Sequence, residues 1–222
     1  MEKYEKAAER LAADLSTELR KANVLGLGSG STVSSILKKA DIPKGKLAVP
    51  TSIQIKLVAD KLGFVATSLN SEVELTIDGA DQVDRRLNMI KGGGGALLKE
   101  KILTSFSKRL YIVVTDKKLS ERLCEGNVPI PIEVSPFGLY LVQEKVLEMG
   151  GKPQLRKNEK GYPSFTENGN VIIDAFFEPL EEPRELETKI KSTVGVIEVG
   201  IFTRKPDLVF VLKENGSYET LK

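Results

Sequence analysis

Histidine is absent from this chain of 222 residues. Its absence excludes imidazole bases, Ser-His-Asp and Cys-His nucleophiles, and His-ligated zinc. A single cysteine, Cys124, excludes an intrachain disulfide and a thiolate metal cluster. Any proton transfer must therefore fall to Asp, Glu, Lys or Tyr. Tryptophan is missing and aromatics are 6% of residues, which leaves little stacking surface for single-stranded nucleic acid. A formal net charge of +2 supplies no general field for nucleic acid, so an anionic ligand needs local groups. No apolar run reaches the ~20 residues of a membrane span. The charged opening, MEKYEKAAERLAADL, lacks the apolar core and cleavage site of a signal peptide. These absences set the expectation of a cytoplasmic protein with no membrane and no nucleic-acid partner.

What is present concentrates in KGGGGALLKEK, residues 91–101. Four consecutive glycines stand between Lys91 and an apolar segment of helical character. Glycine loses the most backbone freedom on folding, so such a run marks a place where backbone comes very close to something. Bare N–H groups at a helix start bind anions. Lys91 adds a cation, and Glu100 a carboxylate two turns into the expected helix.

Periodicity predicts helix over 2–20, strand over 23–27, helix over 33–39, strand over 46–49 and helix over 53–62, closed by Gly63. Strands at 64–67 and 75–77, helix over 95–105 and the apolar strand 110–114 follow. This alternation predicts an α/β fold with an open, mostly parallel, Rossmann-like sheet flanked by helices. From about 128 the order becomes strand 132–134, helix 137–149, strands 152–156 and 171–177, helix 183–191 and strand 196–202. That is the β-α-β-β-α-β order of a smaller ferredoxin-like domain. The final segment, 207–221, reads as a hairpin about Asn215-Gly216 that returns to the first domain. The expected division is therefore 1–127 with 204–222, and an inserted 128–203.

Four loops of the first domain follow predicted strands, where ligands of open parallel sheets bind. In the 26–32 loop, GLGSGST, Gly30 stands where a P-loop needs Lys, and Ser31 where the dinucleotide fingerprint needs Gly. Backbone amides plus the hydroxyls of Ser29, Ser31 and Thr32 suit a single phosphate; the plain alternative is a turn with a Ser/Thr cap. DGADQVD, 78–84, offers Asp78 and Asp81 for sugar hydroxyls, proton transfer or Mg²⁺; helix capping accounts for one Asp, and Asp84 is left to it. TSIQ, 51–54, and TDKK, 115–118, complete the set. On spacing alone Glu100, between Lys99 and Lys101, reads as a solvated helix residue.

GLGSGST, DGAD, KGGGGA with Glu100, and TDKK, in this order, resemble ribose-5-phosphate isomerase type A. The resemblance extends to NGNVIID at 168–174 and to Val194-Gly195-Val196 and Val199-Gly200-Ile201-Phe202. It implies an aldose–ketose isomerase of the non-oxidative pentose phosphate pathway, interconverting D-ribose 5-phosphate and D-ribulose 5-phosphate through an enediolate, with no metal and no cofactor. It implies Glu100 as base, with Asp78, Asp81 and Lys91 as further catalytic groups. Ser29, Gly30, Ser31, Thr32, Gly79, Ala80, Gly92, Gly93, Gly94 and Lys118 join Asp78, Asp81 and Lys91 as substrate contacts. The family commonly has an acid, a spacer and a serine before the lysine matched by Lys118; here Thr115, Asp116 and Lys117 stand there. A homodimer or homotetramer is expected, with the second domain and the VPIPIEV junction, 128–134, as candidate interface. The alternatives are a non-catalytic sugar-phosphate sensor and a Mg²⁺-dependent phosphosugar enzyme using Asp78, Asp81 and Asp84.

Overall fold

The computed structural model describes residues 1–69 and 72–222. In chain order the elements are α1 (Glu5–Lys21), β1 (Val24–Leu27), α2 (Ser31–Lys39), β2 (Leu47–Pro50), α3 (Ile53–Leu62), β3 (Val65–Ala66) and β4 (Val73–Asp78). Then come β5 (Gln82–Val83), β6 (Met89–Ile90), α4 (Leu97–Phe106), β7 (Ser107–Thr115), β8 (Ile130–Val134), α5 (Leu139–Glu148) and β9 (Lys152–Leu155). The chain finishes with β10 (Val171–Phe176), α6 (Pro183–Lys191), β11 (Val196–Val199), β12 (Ile201–Phe202), β13 (Leu208–Leu212) and β14 (Tyr218–Leu221).

Two compact units divide the chain: Met1–Gly79 with Lys99–Lys118 and Pro206–Lys222, and Ala80–Leu98 with Leu119–Lys205. The second unit is larger than the expected 128–203. It takes in β5 and β6 because they pair with β12 in a small three-stranded sheet.

The first unit holds a seven-stranded sheet in the order β14-β13-β7-β4-β1-β2-β3, parallel except for the β13–β14 hairpin. Residues alternate across the pleat. Leu25, Leu27, Leu75 and Ile77 pack with Leu11 of α1, Ile36 of α2 and Ile55 of α3. Val24, Val49 and Val73 pack instead with Leu103 of α4. Helices therefore cover both faces, and the strands are apolar on both sides, as buried parallel strands are.

In the second unit the four-stranded antiparallel sheet runs β11-β8-β10-β9, the ferredoxin-like arrangement. Ile130, Ile132 and Val134 of β8 face Val142 of α5 and Ile190 of α6. The 130–134 part of the VPIPIEV junction is thus a fully buried inner strand, which removes it as an interface. On the opposite face, buried Glu133 accepts hydrogen bonds from Thr166 Oγ1 (2.8 Å), Asn168 Nδ2 (3.1 Å) and Asn170 Nδ2 (2.8 Å). The NGN of NGNVIID is therefore an internal brace. Residues 196–202, expected as one strand, split at Gly200: its N–H donates to Pro131 O (2.7 Å) and its carbonyl accepts the Lys91 N–H (2.9 Å).

Candidate active site

In the first unit β7, β4 and β1 lie side by side, and each ends in a loop singled out by the sequence. The sheet's winding reverses between β1 and β4, with β2 and β3 beyond β1 and β7 beyond β4. Such a switch point is where open α/β sheets place ligands.

Asp78 is the last residue of β4 and is 0% exposed. Its Oδ1 accepts the Gly79 N–H at 2.7 Å. Gly28, at the end of β1, makes room for it: a Cβ there would overlap the Asp78 carboxylate. Part of the glycine pattern in GLGSGST therefore serves Asp78, a role the loop sequence did not disclose.

α2 begins at Ser31, two residues earlier than expected, with Gly30 as N-cap and no side chain capping it. The hydroxyls are thus not the cap that the plain reading required, and the free helix N-terminus suits an anion. The loop is braced by TSIQ. Ser29 Oγ donates to Ser52 Oγ (2.8 Å) and lies 2.9 Å from Thr51 Oγ1, and the Gly30 N–H donates to Gln54 Oε1 (3.2 Å). Ser31 is exposed. Thr32 Oγ1 donates to the Met1 sulfur at 3.6 Å.

Glu100 lies in the first turn of α4, not two turns in, because the helix starts at Leu97. It is 5% exposed, so the solvated reading of the Lys-Glu-Lys run fails. α4 leads directly into β7 and so runs antiparallel to it, which puts its N-terminus toward the carboxyl edge of the sheet. The helix dipole favours a carboxylate there.

The adjacent lysines separate cleanly. Lys117 Nζ pairs with Glu214 at 2.7 Å, a bond that pushes its ammonium up from the ordinary value. Asp116 accepts the Tyr4 hydroxyl at 2.8 Å. Lys118 is exposed and makes no ion pair among the described residues.

In the second unit Asp81 Oδ2 accepts the Gly93 N–H at 2.7 Å, which ties DGAD to the glycine run. Lys91 is 2% exposed, with its Nζ 5.4 Å from the centroid of the Phe202 ring. Such a contact favours a cation in a dry setting. The 92–95 segment is a turn closed by the Gly95 N–H on Gly92 O at 3.0 Å. At Gly92 φ is +105°, and a Cβ would press on Leu97 at 2.8 Å and Pro131 at 3.2 Å, so only glycine fits.

Residues 47–216 match the family model described as ribose 5-phosphate isomerase A (phosphoriboisomerase A). The ribose-5-phosphate isomerase A of Korarchaeum cryptofilum is 41% identical over 86% of this chain and 86% of its own. The ribose 5-phosphate isomerase A structure from Methanocaldococcus jannaschii superposes with a TM-score of 0.86, at 32% identity over 100% of this chain and 98% of that one. A D-ribose-5-phosphate isomerase solved in complex with phospho-erythronic acid gives 0.89, at 34% identity over 100% and 99%.

This chain belongs to the ribose 5-phosphate isomerase A family.

As a ribose 5-phosphate isomerase it interconverts D-ribose 5-phosphate and D-ribulose 5-phosphate, an aldose–ketose isomerisation of the pentose phosphate pathway. The comparisons give no support to the sensor or to the Mg²⁺-dependent enzyme. Asp84, the third carboxylate of the latter, is a turn brace: Oδ1 accepts the N–H groups of Arg86 and Asn88, both at 2.8 Å. Among the described residues no cluster of three or more His, Cys, Asp or Glu could hold a metal. No helix of the described residues is long and apolar enough to cross a membrane. Two neighbours of the glycine turn were not foreseen: Phe202, which faces Lys91, and Arg156, whose Nη1 donates to Gly92 O and Gly93 O; each reaches its partner only through the tertiary fold.

Proposed function

We propose that Glu100 is the general base of the isomerisation, removing the proton from C2 of the open aldose and returning it to C1. One carboxylate can serve both transfers because the two carbons are adjacent in a cis-enediolate. The observation that carries this reading is the burial of Glu100 at the N-terminus of α4. Lys91 and the Gly94 N–H stabilise the enediolate oxyanion, with Gly92 and Gly93 contacting the substrate through the rest of their backbone. Asp78 or Asp81 opens the sugar ring by proton transfer, with Gly79 and Ala80 contacting the sugar through backbone. Ser29, Gly30, Ser31 and Thr32 take the phosphate or sugar end, and Lys118 adds a point charge. Phospho-erythronic acid, with which one relative was solved in complex, combines a phosphate with a carboxylate and is expected to compete with ribose 5-phosphate for this site.

The test is ribulose 5-phosphate formation with EDTA present, for wild type and Glu100→Gln. Wild-type activity survives EDTA, and the variant loses roughly 10²–10⁴-fold in kcat. Near-normal turnover in Glu100→Gln removes it as base, and loss of wild-type activity in EDTA removes the metal-free mechanism.

We further infer a cytoplasmic homodimer or homotetramer. Phe137, Tyr140 and Val194, at 103%, 81% and 80% exposure, support an apolar subunit contact on the second unit. Light scattering reads the assembly directly; a monomer refutes it.

A further inference from the structure

We propose that Arg156, held by Asp174, is a positioning residue for the isomerisation: it fixes the peptide planes of the 92–95 turn so that the Gly94 N–H is presented to the substrate oxyanion. The inference rests on the reading of that turn as substrate-binding. Arg156 follows β9, and Asp174 lies on the neighbouring β10. Nε and Nη2 of Arg156 donate to the two carboxylate oxygens of Asp174, at 2.8 and 2.5 Å. Nη1 donates to Gly92 O at 2.9 Å and to Gly93 O at 3.0 Å. The two side chains are 17% and 19% exposed, so solvent competes weakly for these bonds. Because the guanidinium is a rigid plane, its two-pronged grip on Asp174 sets where Nη1 points.

The consequence follows from peptide geometry. In a trans peptide the C=O and N–H point in opposite directions, and the structure contains no cis bond among its described residues. With the carbonyls of Gly92 and Gly93 both turned to Arg156, the N–H groups of Gly93 and Gly94 both turn away from it. The first of these meets Asp81. The second has no partner among the described residues, Gly94 is exposed, and a Cβ there would meet nothing within 4 Å. With the Gly93 N–H taken by Asp81, the Gly94 N–H is the donor this turn offers to an anion. A run of glycines has little intrinsic preference for such an arrangement, so the turn needs an external template. Arg156 is that template, acting from the side away from the substrate.

The test uses Arg156→Met, which keeps much of the stem, and Asp174→Asn, which keeps the volume. Steady-state kcat and KM are measured well below each melting temperature. The Gly94 amide is followed in ¹⁵N-glycine-labelled enzyme as phospho-erythronic acid is added. Arg156→Met is expected to lower kcat by roughly 10- to 100-fold, short of the ~10²–10³ for deleting such a donor outright. KM should change by less than about threefold, because the donor acts mainly on the transition state. The Gly94 amide shift should shrink, and added guanidinium should restore part of both. Asp174→Asn should show the same pattern at about three- to tenfold, and it decides the matter if Arg156→Met does not fold. A folded variant with wild-type kcat, or with an unchanged Gly94 response, overturns the proposal. A Gly94 amide that fails to respond in the wild-type enzyme overturns the substrate-binding reading of the turn, and Arg156's role with it.

Discussion

Replacing Gly28 by alanine places a methyl group on the Asp78 carboxylate. The added Cβ would overlap Oδ1 and Cγ of Asp78, so something must move. Little can: β4 lies between β1 and β7, β1 lies between β2 and β4, and Asp78 has no solvent to swing into. Overpacking of this kind costs roughly 1–3 kcal/mol. For a chain of this size each kcal/mol shifts the melting temperature by about 2–4 °C, so a fall of about 2–12 °C is expected. A carboxylate displaced by about 1 Å from its working position costs ~10²-fold in kcat/KM. Gly94→Ala is the matched comparison, because its Cβ enters open space. Its melting temperature should stay within about 2 °C of wild type, while the methyl group crowds the substrate and raises KM. Thermal unfolding by circular dichroism and a ketose-formation assay on both variants decide the matter. Unchanged stability and unchanged kcat/KM in Gly28→Ala would refute the close approach of β1 to Asp78, and with it Asp78's place in the site.

Lys118→Ala should raise the KM for ribose 5-phosphate, whereas Lys117→Ala should leave it unchanged and barely move the melting temperature, because its pair with Glu214 is solvent-exposed; equal kinetic effects would contradict the division of roles. Burial pushes the Cys124 thiol up from 9.0 to about 12, so native enzyme at pH 8 should not react with a disulfide reagent until denaturant is added. The same shift gives a sign for stability: the folded state keeps a proton that the unfolded chain releases above pH 9. This contribution is full below pH 9 and falls away as pH rises toward 12, which denaturant titrations at pH 8 and 10.5 would show.

The fold was legible where local signals were strong. The helices Ile53–Leu62 and Pro183–Lys191 stand where periodicity put them, and Gly63 closes the first in the left-handed conformation. Two-residue strands such as β5 and β6 carry no period, so the small sheet and its claim on residues 80–98 were invisible. The split at Gly200 depends on a backbone bond to Lys91, far away in sequence. Glu100 shows the limit of local reading most clearly: its charged neighbours signal solvent, and only the packing of α4 buries it. Motifs singled out the DGAD and KGGGGA segments, but they could not show that Gly28 accommodates Asp78, or that Arg156 reaches the turn across more than sixty residues of chain.

The path of the chain through its two units also bears on how the protein is made. β13 is an inner strand of the first unit, and Phe210 and Leu212 belong to that unit's core. Both are synthesised after the whole of Leu119–Lys205, the larger part of the second unit. At ribosomal rates the half-built first sheet waits on the order of ten seconds for its partner. During that interval β7 presents an open edge, the kind of surface that pairs with the wrong strand. Synthesis therefore favours completion of the later-coded unit first, and the opening residues of the chain reach their final packing only when its last segment arrives.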